Sequence, residues 1–223
     1  MRIGKGSLAC FAIAVSSVIS CSLAAETREG SNIPRDEKYA VTAVTPIFGQ
    51  LVAVTYPGGF HPAFENATSE FYIQESVPTG ETAERWSQMI TLTGTKGGSD
   101  ERLSAATLLQ GVAAGFRSSC PNTFGAKGLG KVNIGGYEGI VALVGCGHVT
   151  SGDARSEVAF LISAKGTSDV YMIQWAERGA PIEQAPVFDE AAWKTRFQQL
   201  LPIKICDRVP NEPAPYKSCI NRP

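Results

Sequence analysis

Beyond residue 24 the chain holds four cysteines, Cys120, Cys146, Cys206 and Cys219, and no other feature constrains its fold as much. An even set of cysteines in an exported chain is what pairing produces, whereas in a reducing compartment they would stay free or serve chemistry. Export is what the N-terminus predicts. Arg2 and Lys5 precede the apolar run LACFAIAVSSVIS, from Leu8 to Ser20. That run is too short to cross a bilayer as a stable helix and has the length of a secretory signal's hydrophobic region.

Two processing sites compete. Ser22, Leu23 and Ala24 put small residues where a signal peptidase reads, which makes residues 1–24 a signal peptide. Val18 to Cys21, VISC, resembles a bacterial lipobox, which would leave Cys21 as a lipidated first residue and a lipoprotein on the membrane surface. Either route yields an exported chain of the periplasm or outer membrane, with an N-terminal lipid as its only membrane contact. Both leave the same four cysteines. Three connectivities are possible, and pairing Cys120 with Cys146 and Cys206 with Cys219 closes the modest loops.

Charge excludes one class of partner. The chain carries 20 basic and 21 acidic residues for a net charge of −1, and losing Arg2 and Lys5 makes it −3. Without a basic cluster there is no electrostatic footprint for nucleic acid. A mature length of about 200 residues suits one domain with a sizeable core.

Residues 25–45 are polar and irregular and read as a flexible linker. Residues 46–201 read as one folded domain. Leu51 to Tyr56 is an apolar, β-branched strand stopped by the turn signal Pro57-Gly58-Gly59. SEFYIQESVP alternates as a second strand, and ETAERWSQMITLTGT reads as helix turning to strand near Trp86. Ser99-Asp100 reads as a helix start before ERLSAATLLQGVAAGF, in which Ala105, Leu108, Leu109, Val112 and Phe116 form one apolar stripe. GKVNIGG is a further, weak strand.

In YEGIVALVGCGHV, Val141 and Leu143 point one way and Ile140, Ala142, Val144 and Cys146 the other, so this strand reads as central and covered on both faces. RSEVAFLISAK and SDVYMIQWAER read as a hairpin. The last helix follows a cap at Asp189, with Phe188 and Trp193 placed for a hydrophobic staple and Trp193, Phe197 and Leu200 as its buried stripe. Residues 202–223 are a proline-rich tail closed by its own cysteine pair. Helix between runs of strands implies α+β: a mainly antiparallel sheet with helices packed on it, stapled by disulfides.

Few residues invite chemistry. Cys146 and His148 would share a strand face, and a Cys–His dyad there is the one enzymatic alternative. Cys146 ends an apolar face, however, where a thiol is inert, and in an oxidising compartment Cys120 stands available as its disulfide partner. His61, in GGFHPAF, reads as part of a turn; with His148 it is the candidate ligand-binding histidine. Two histidines without metal-ligand spacing give no zinc site, and no cofactor is expected. The glycine-rich GAKGLGKVNIGG lacks the ending of a phosphate loop, and no G-x-S-x-G elbow occurs. Glu157, Glu177 and Arg178 read as a solvated face. The sequon Asn66-Ala67-Thr68 carries no weight behind a bacterial signal.

The strand pair before WSQMITLTG, the amphipathic helix, YEGIVALV, the SEVAFLISAKGTSDVYMIQWAER hairpin and the closing helix together resemble PsbP-like and DcrB-like proteins. The resemblance spans residues 46–201 and implies an exported α/β/α sandwich, some of these proteins being lipoproteins, with an auxiliary or binding role. It supplies no catalytic residue, and the tail from Cys206 departs from it. The expectation is a non-enzymatic envelope protein that binds another envelope protein or a small ligand.

Overall fold

The computed structural model describes residues 39–97, 103–150 and 152–221, all belonging to one unit, Arg35–Pro223. The elements run β1 (Val41–Ile47), β2 (Gln50–Tyr56), β3 (Phe60–Ala67), β4 (Phe71–Pro78), β5 (Gln88–Thr95), α1 (Ala105–Ser119), β6 (Phe124–Ile134), β7 (Tyr137–Cys146), β8 (Ser156–Lys165), β9 (Val170–Gly179), α2 (Glu190–Gln199), β10 (Lys204–Asp207) and α3 (Lys217–Ile220). The fold is α+β, as the sequence implies.

Seven strands form one sheet in the order β3-β4-β5-β9-β8-β7-β6, and a second sheet runs β1-β2-β10. Every pairing is antiparallel. The large sheet is two meanders joined where β5 pairs β9, from Gln88↔Glu177 to Thr95↔Val170. Helix α1 makes the crossover between the meanders. Its stripe of Leu108, Leu109, Val112 and Phe116 packs on Val144, Ala159, Leu161, Met172 and Ala176, the residues that one pleat of β7, β8 and β9 turns to that side.

The opposite pleat carries Leu143, Phe160, Ile162, Ile173 and Trp175, and the small sheet covers it with Val52, Val54, Tyr56 and Ile205, joined by Ile203 just before β10. Helix α2 joins that layer. Trp193 stacks on Phe160 at 6.1 Å between ring centroids, and Phe197 lies beside it. Strand β2 is buried along its whole length because its outer pleat, Leu51 and Ala53, lies under Cys206, Cys219 and Tyr216 of the tail. Both faces of the large sheet are thus covered, one by a helix and the other by a sheet with a helix beside it.

Several boundaries differ from the expectation. The first strand begins at Val41, inside the stretch read as linker, because Val41 to Ile47 pairs with β2. The tail contributes β10 to the small sheet, so it is part of the fold. Strand β7 is buried on both faces but stands second from an edge, and β9 is the middle strand. Helix α1 is capped at Ser104, whose Oγ accepts from Thr107 N–H at 3.1 Å while its own N–H donates to Thr107 Oγ1 at 2.8 Å. Ser99, Asp100, Cys21 and the processing sites lie outside the described residues. Ahead of β5, ETAERW forms bends and no helix.

Candidate binding groove

Cys146 is joined to Cys120, with Cα atoms 5.6 Å apart, and Cys206 is joined to Cys219 at the same separation. These are the two pairings expected. The sulfur of Cys146 is therefore not a thiol nucleophile, and both residues of the first pair are 1% exposed among Val149, Phe116 and Phe124.

His148 does not share a strand face with Cys146, because β7 stops at that cysteine. Its N–H donates to Thr123 Oγ1 at 2.9 Å, and its Nδ1 sits 3.1 Å from Glu183 Oε1 in an exposed pair. Gly147 explains the local chain path. Its N–H donates to Thr123 O, its carbonyl accepts from Ile182 N–H, and the carbonyls of Gln184 and Ile182 occupy the space of a β-carbon. The GCGH segment is a packing knot between β7 and the chain leaving β9.

His61 lies in β3, paired with Val77 of β4, and not in a turn. The strand is hard to see in sequence because Pro62 and a bulge before Phe64 break its alternation. Its Nδ1 is buried and meets no hydrogen-bond partner among the described residues. β3 and β7 stand five strand steps apart in the sheet order, about 24 Å at ordinary spacing. The two histidines cannot serve one site. Among the described residues no group of three or more His, Cys, Asp or Glu side chains could hold a metal.

The structure assembles a different site at the far ends of β8 and β9. Arg178, at the end of β9, lays its guanidinium over the Trp86 ring with its central carbon 3.5 Å from the centroid. Its Nε donates to Glu157 Oε2 at 3.1 Å, and its backbone N–H donates to Ser87 O at 2.8 Å. Arg155 Nε approaches the same carboxylate oxygen at 3.6 Å, and its Nη1 donates to Asp153 O. The pairing Glu157↔Arg178 between β8 and β9 puts both side chains on the α1 side of the sheet.

Glu81, across the loop, accepts from Ser87 N–H at 2.7 Å and from Ser87 Oγ–H at 2.6 Å, which holds the segment bearing Trp86 against the sheet. The groove between them, about 620 Å³, is lined by Trp86, Arg85, Glu84, Asp153, Arg155 and Arg178 among others. Glu75 lies in reach of these charges. Burial first and the neighbouring Glu84 carboxylate second push its carboxyl above the usual range, and Arg178 opposes them.

A second chamber of about 330 Å³ continues from Arg155 and Glu157 along α1. Its walls are Val112, Gly115, Phe116, Ser119, Val149 and Cys146. The expectation of a solvated face at Glu157, Glu177 and Arg178 is corrected accordingly. Both Arg178, in the groove wall, and Glu157, in the wall of the second chamber, are mostly buried. Glu177 points to the other pleat, where Arg196 of α2 grips it through Nη2 at 2.8 Å and lies over Trp193.

Sequence reasoning missed Trp86 and Arg155. Trp86 stands alone between charged residues in AERWSQ, and only the β9 pairing shows what it covers.

No family model matches the chain, and no curated protein matches it. Among solved structures it is similar to a Bacteroides thetaiotaomicron protein, at 10% identity and a TM-score of 0.38, over 72% of this chain and 46% of that one. The chain thus spans about half the length of that protein. It is also similar to the Saccharomyces cerevisiae Ran-binding protein Mog1p, at 14% identity and a TM-score of 0.39, over 73% of this chain and 86% of that one.

Proposed function

We propose that this protein is an exported binding domain of the bacterial envelope that acts without catalysis, and that the Trp86–Arg178 groove is where it holds its ligand or partner. The observation that carries the reading is the fixed guanidinium: stacked on an indole and anchored by one carboxylate, it is positioned before any ligand arrives. Preorganisation of this kind lowers the entropy lost on binding. The sulfur that an enzymatic alternative would need is consumed in a disulfide, and the two histidines are strands apart. The paired cysteines suit an oxidising compartment, and the N-terminal pattern suits export to it. The likeness of element order to PsbP-like and DcrB-like proteins supports an accessory role.

Titration of short peptides and small organic acids and amines into ¹⁵N-labelled protein tests the reading. It predicts saturable shifts centred on the Trp86 indole N–H, Ser87, Arg155 and Arg178. Turnover of a probe at the groove, or saturable shifts confined to other surfaces, would sink it. The N-terminal mass of protein recovered from the envelope tests export: the expected start is Ala25, or Cys21 carrying acyl chains. A full-length chain retained in the cytosol would contradict it.

A further inference from the structure

We infer that the groove recognises a carboxylate carried by an apolar chain, with Arg178 as the residue that reads the acid and the chamber beside α1 as the seat of the apolar arm. Resting on the groove as the binding site, the inference starts from how Arg178 is held. One face of its guanidinium and its Nε are committed to Trp86 and Glu157, and no acceptor is found for its two Nη groups among the hydrogen bonds of the described residues. Its side chain is 23% exposed and lines the groove. A guanidinium fixed in this way presents a planar pair of N–H donors, which match the two oxygens of a carboxylate.

Charge in the wall agrees. Glu157 sits between two guanidiniums, so Arg155, Glu157 and Arg178 together carry one excess positive charge. The three side chains that carry it are only 15–25% exposed. Glu84, Asp153 and Arg85 stand on the groove's exposed rim, two acids to one base, so the rim is net negative. An inner single positive charge behind acidic neighbours suits a monoanion and disfavours a phosphate dianion.

The second chamber sets the rest of the ligand. It shares Arg155 with the groove, and its wall holds Glu157, the carboxylate that anchors Arg178, so an acid held at Arg178 has an apolar slot beside it. The slot is lined by Val112, Phe116, Val149 and Cys146, and Gly115 of the helix borders it with open space above its Cα. A β-carbon there would meet nothing within 4 Å. The shared chemistry is a carboxylate next to an aliphatic or aromatic arm, as in a peptide ending in a free hydrophobic residue or in a medium-chain fatty acid.

The experiment uses three probes on the full chain: acetyl-Ala-Ala-Phe with a free carboxylate, the same peptide as its amide, and octanoate. Calorimetry and the Trp86 indole N–H resonance read the binding. The free acid is expected to bind at least tenfold more tightly than the amide. Arg178→Lys, which keeps the charge but not the fork, is expected to weaken acid binding about tenfold. Gly115→Leu, which fills the slot, is expected to remove it while melting as the wild type does. Binding of the peptide acid alone assigns a chain terminus as the ligand, binding of octanoate alone assigns a free aliphatic acid, and either supports the inference. Equal binding of acid and amide at Trp86 overturns the carboxylate claim while the groove reading survives. Binding unaffected by Gly115→Leu overturns the apolar slot. Failure of all three probes overturns the inference as a whole, whereas the groove reading falls only if the wider titration also leaves Trp86, Arg155 and Arg178 unmoved.

Discussion

A β-carbon at residue 147 would collide with the carbonyls of Gln184 and Ile182, both of them backbone and unable to swing away. Gly147→Ala is therefore expected to cost about 1–3 kcal/mol, the usual penalty for overpacking, measurable by urea denaturation. A variant as stable as the parent would show that the 182–184 segment is loosely held. Glu75 offers the opposite sign. Its carboxyl titrates above the ordinary range in the folded state, so the folded protein binds its proton more tightly than the unfolded chain does, and stability falls as pH rises through that window. Glu75→Gln should raise the melting temperature at pH 7 by about 1–3 °C, with the gain vanishing below the ordinary carboxylate pKa. A gain that persists at pH 3 would mean that charge is not its cause. At this scale the sequence reported cysteines well and side-chain surroundings poorly. Cys146 is legible because an even cysteine count has few outcomes. Arg178 is not, because a charged residue near a strand end looks the same whether it meets water or an indole 92 positions away.

Helices and strands with strong periodicity were legible: the α1 stripe, both strands of the β8–β9 hairpin and the two-faced β7 all stand where their patterns place them. β3 was not, since Pro62 and the bulge that follows destroy its period of two. Those same features do work at the edge of the sheet. β3 carries proline and a bulge, and β6 at the other edge carries Lys127, Lys131 and a bulge between Gly128 and Gly130. The small sheet ends in Pro46 of β1 on one side and in the four-residue β10 on the other. Each edge is protected against pairing with another chain, at the cost of the alternation that would have revealed it. Helix α1 carries a similar trade. Gly111 and Gly115 weaken it, and only Gly115 lines the slot. Gly111→Ala, with open space for the new methyl group, should add about 0.5–1 kcal/mol and leave binding unchanged. Loss of stability in denaturant titration would reveal a contact at Gly111 that the structure lacks.

For the whole molecule, the order of the large sheet had no local signature, because the pairing of β5 with β9 joins residues about eighty positions apart and leaves no pattern in either strand. The disulfides divide along the same layers. Cys120–Cys146 ties the exit of α1 to the end of β7 beside the groove, and Cys206–Cys219 holds the tail on the outer face of β2. The second closes a separation of 13 residues, for which chain-entropy reasoning gives about 3 kcal/mol. Replacing Cys206 and Cys219 together with alanine should therefore lower global stability by about 2–4 kcal/mol, but the loss should not be spread evenly. Among the described residues β10 is the one tail strand that pairs with the core, through Lys204↔Ala53 to Asp207↔Gln50, and β2 depends on the tail for its outer cover. Amide hydrogen exchange should accelerate first in β10 and β2, while β7, β8 and β9, buried between α1 and the small sheet, remain the slowest. Since the groove lies on the α1 side of the large sheet, the Trp86 indole resonance should stay in place in the same variant. Uniform acceleration across both sheets would show that the layers unfold as one and that the staple acts on the whole molecule; a shifted Trp86 resonance would couple the tail to the groove.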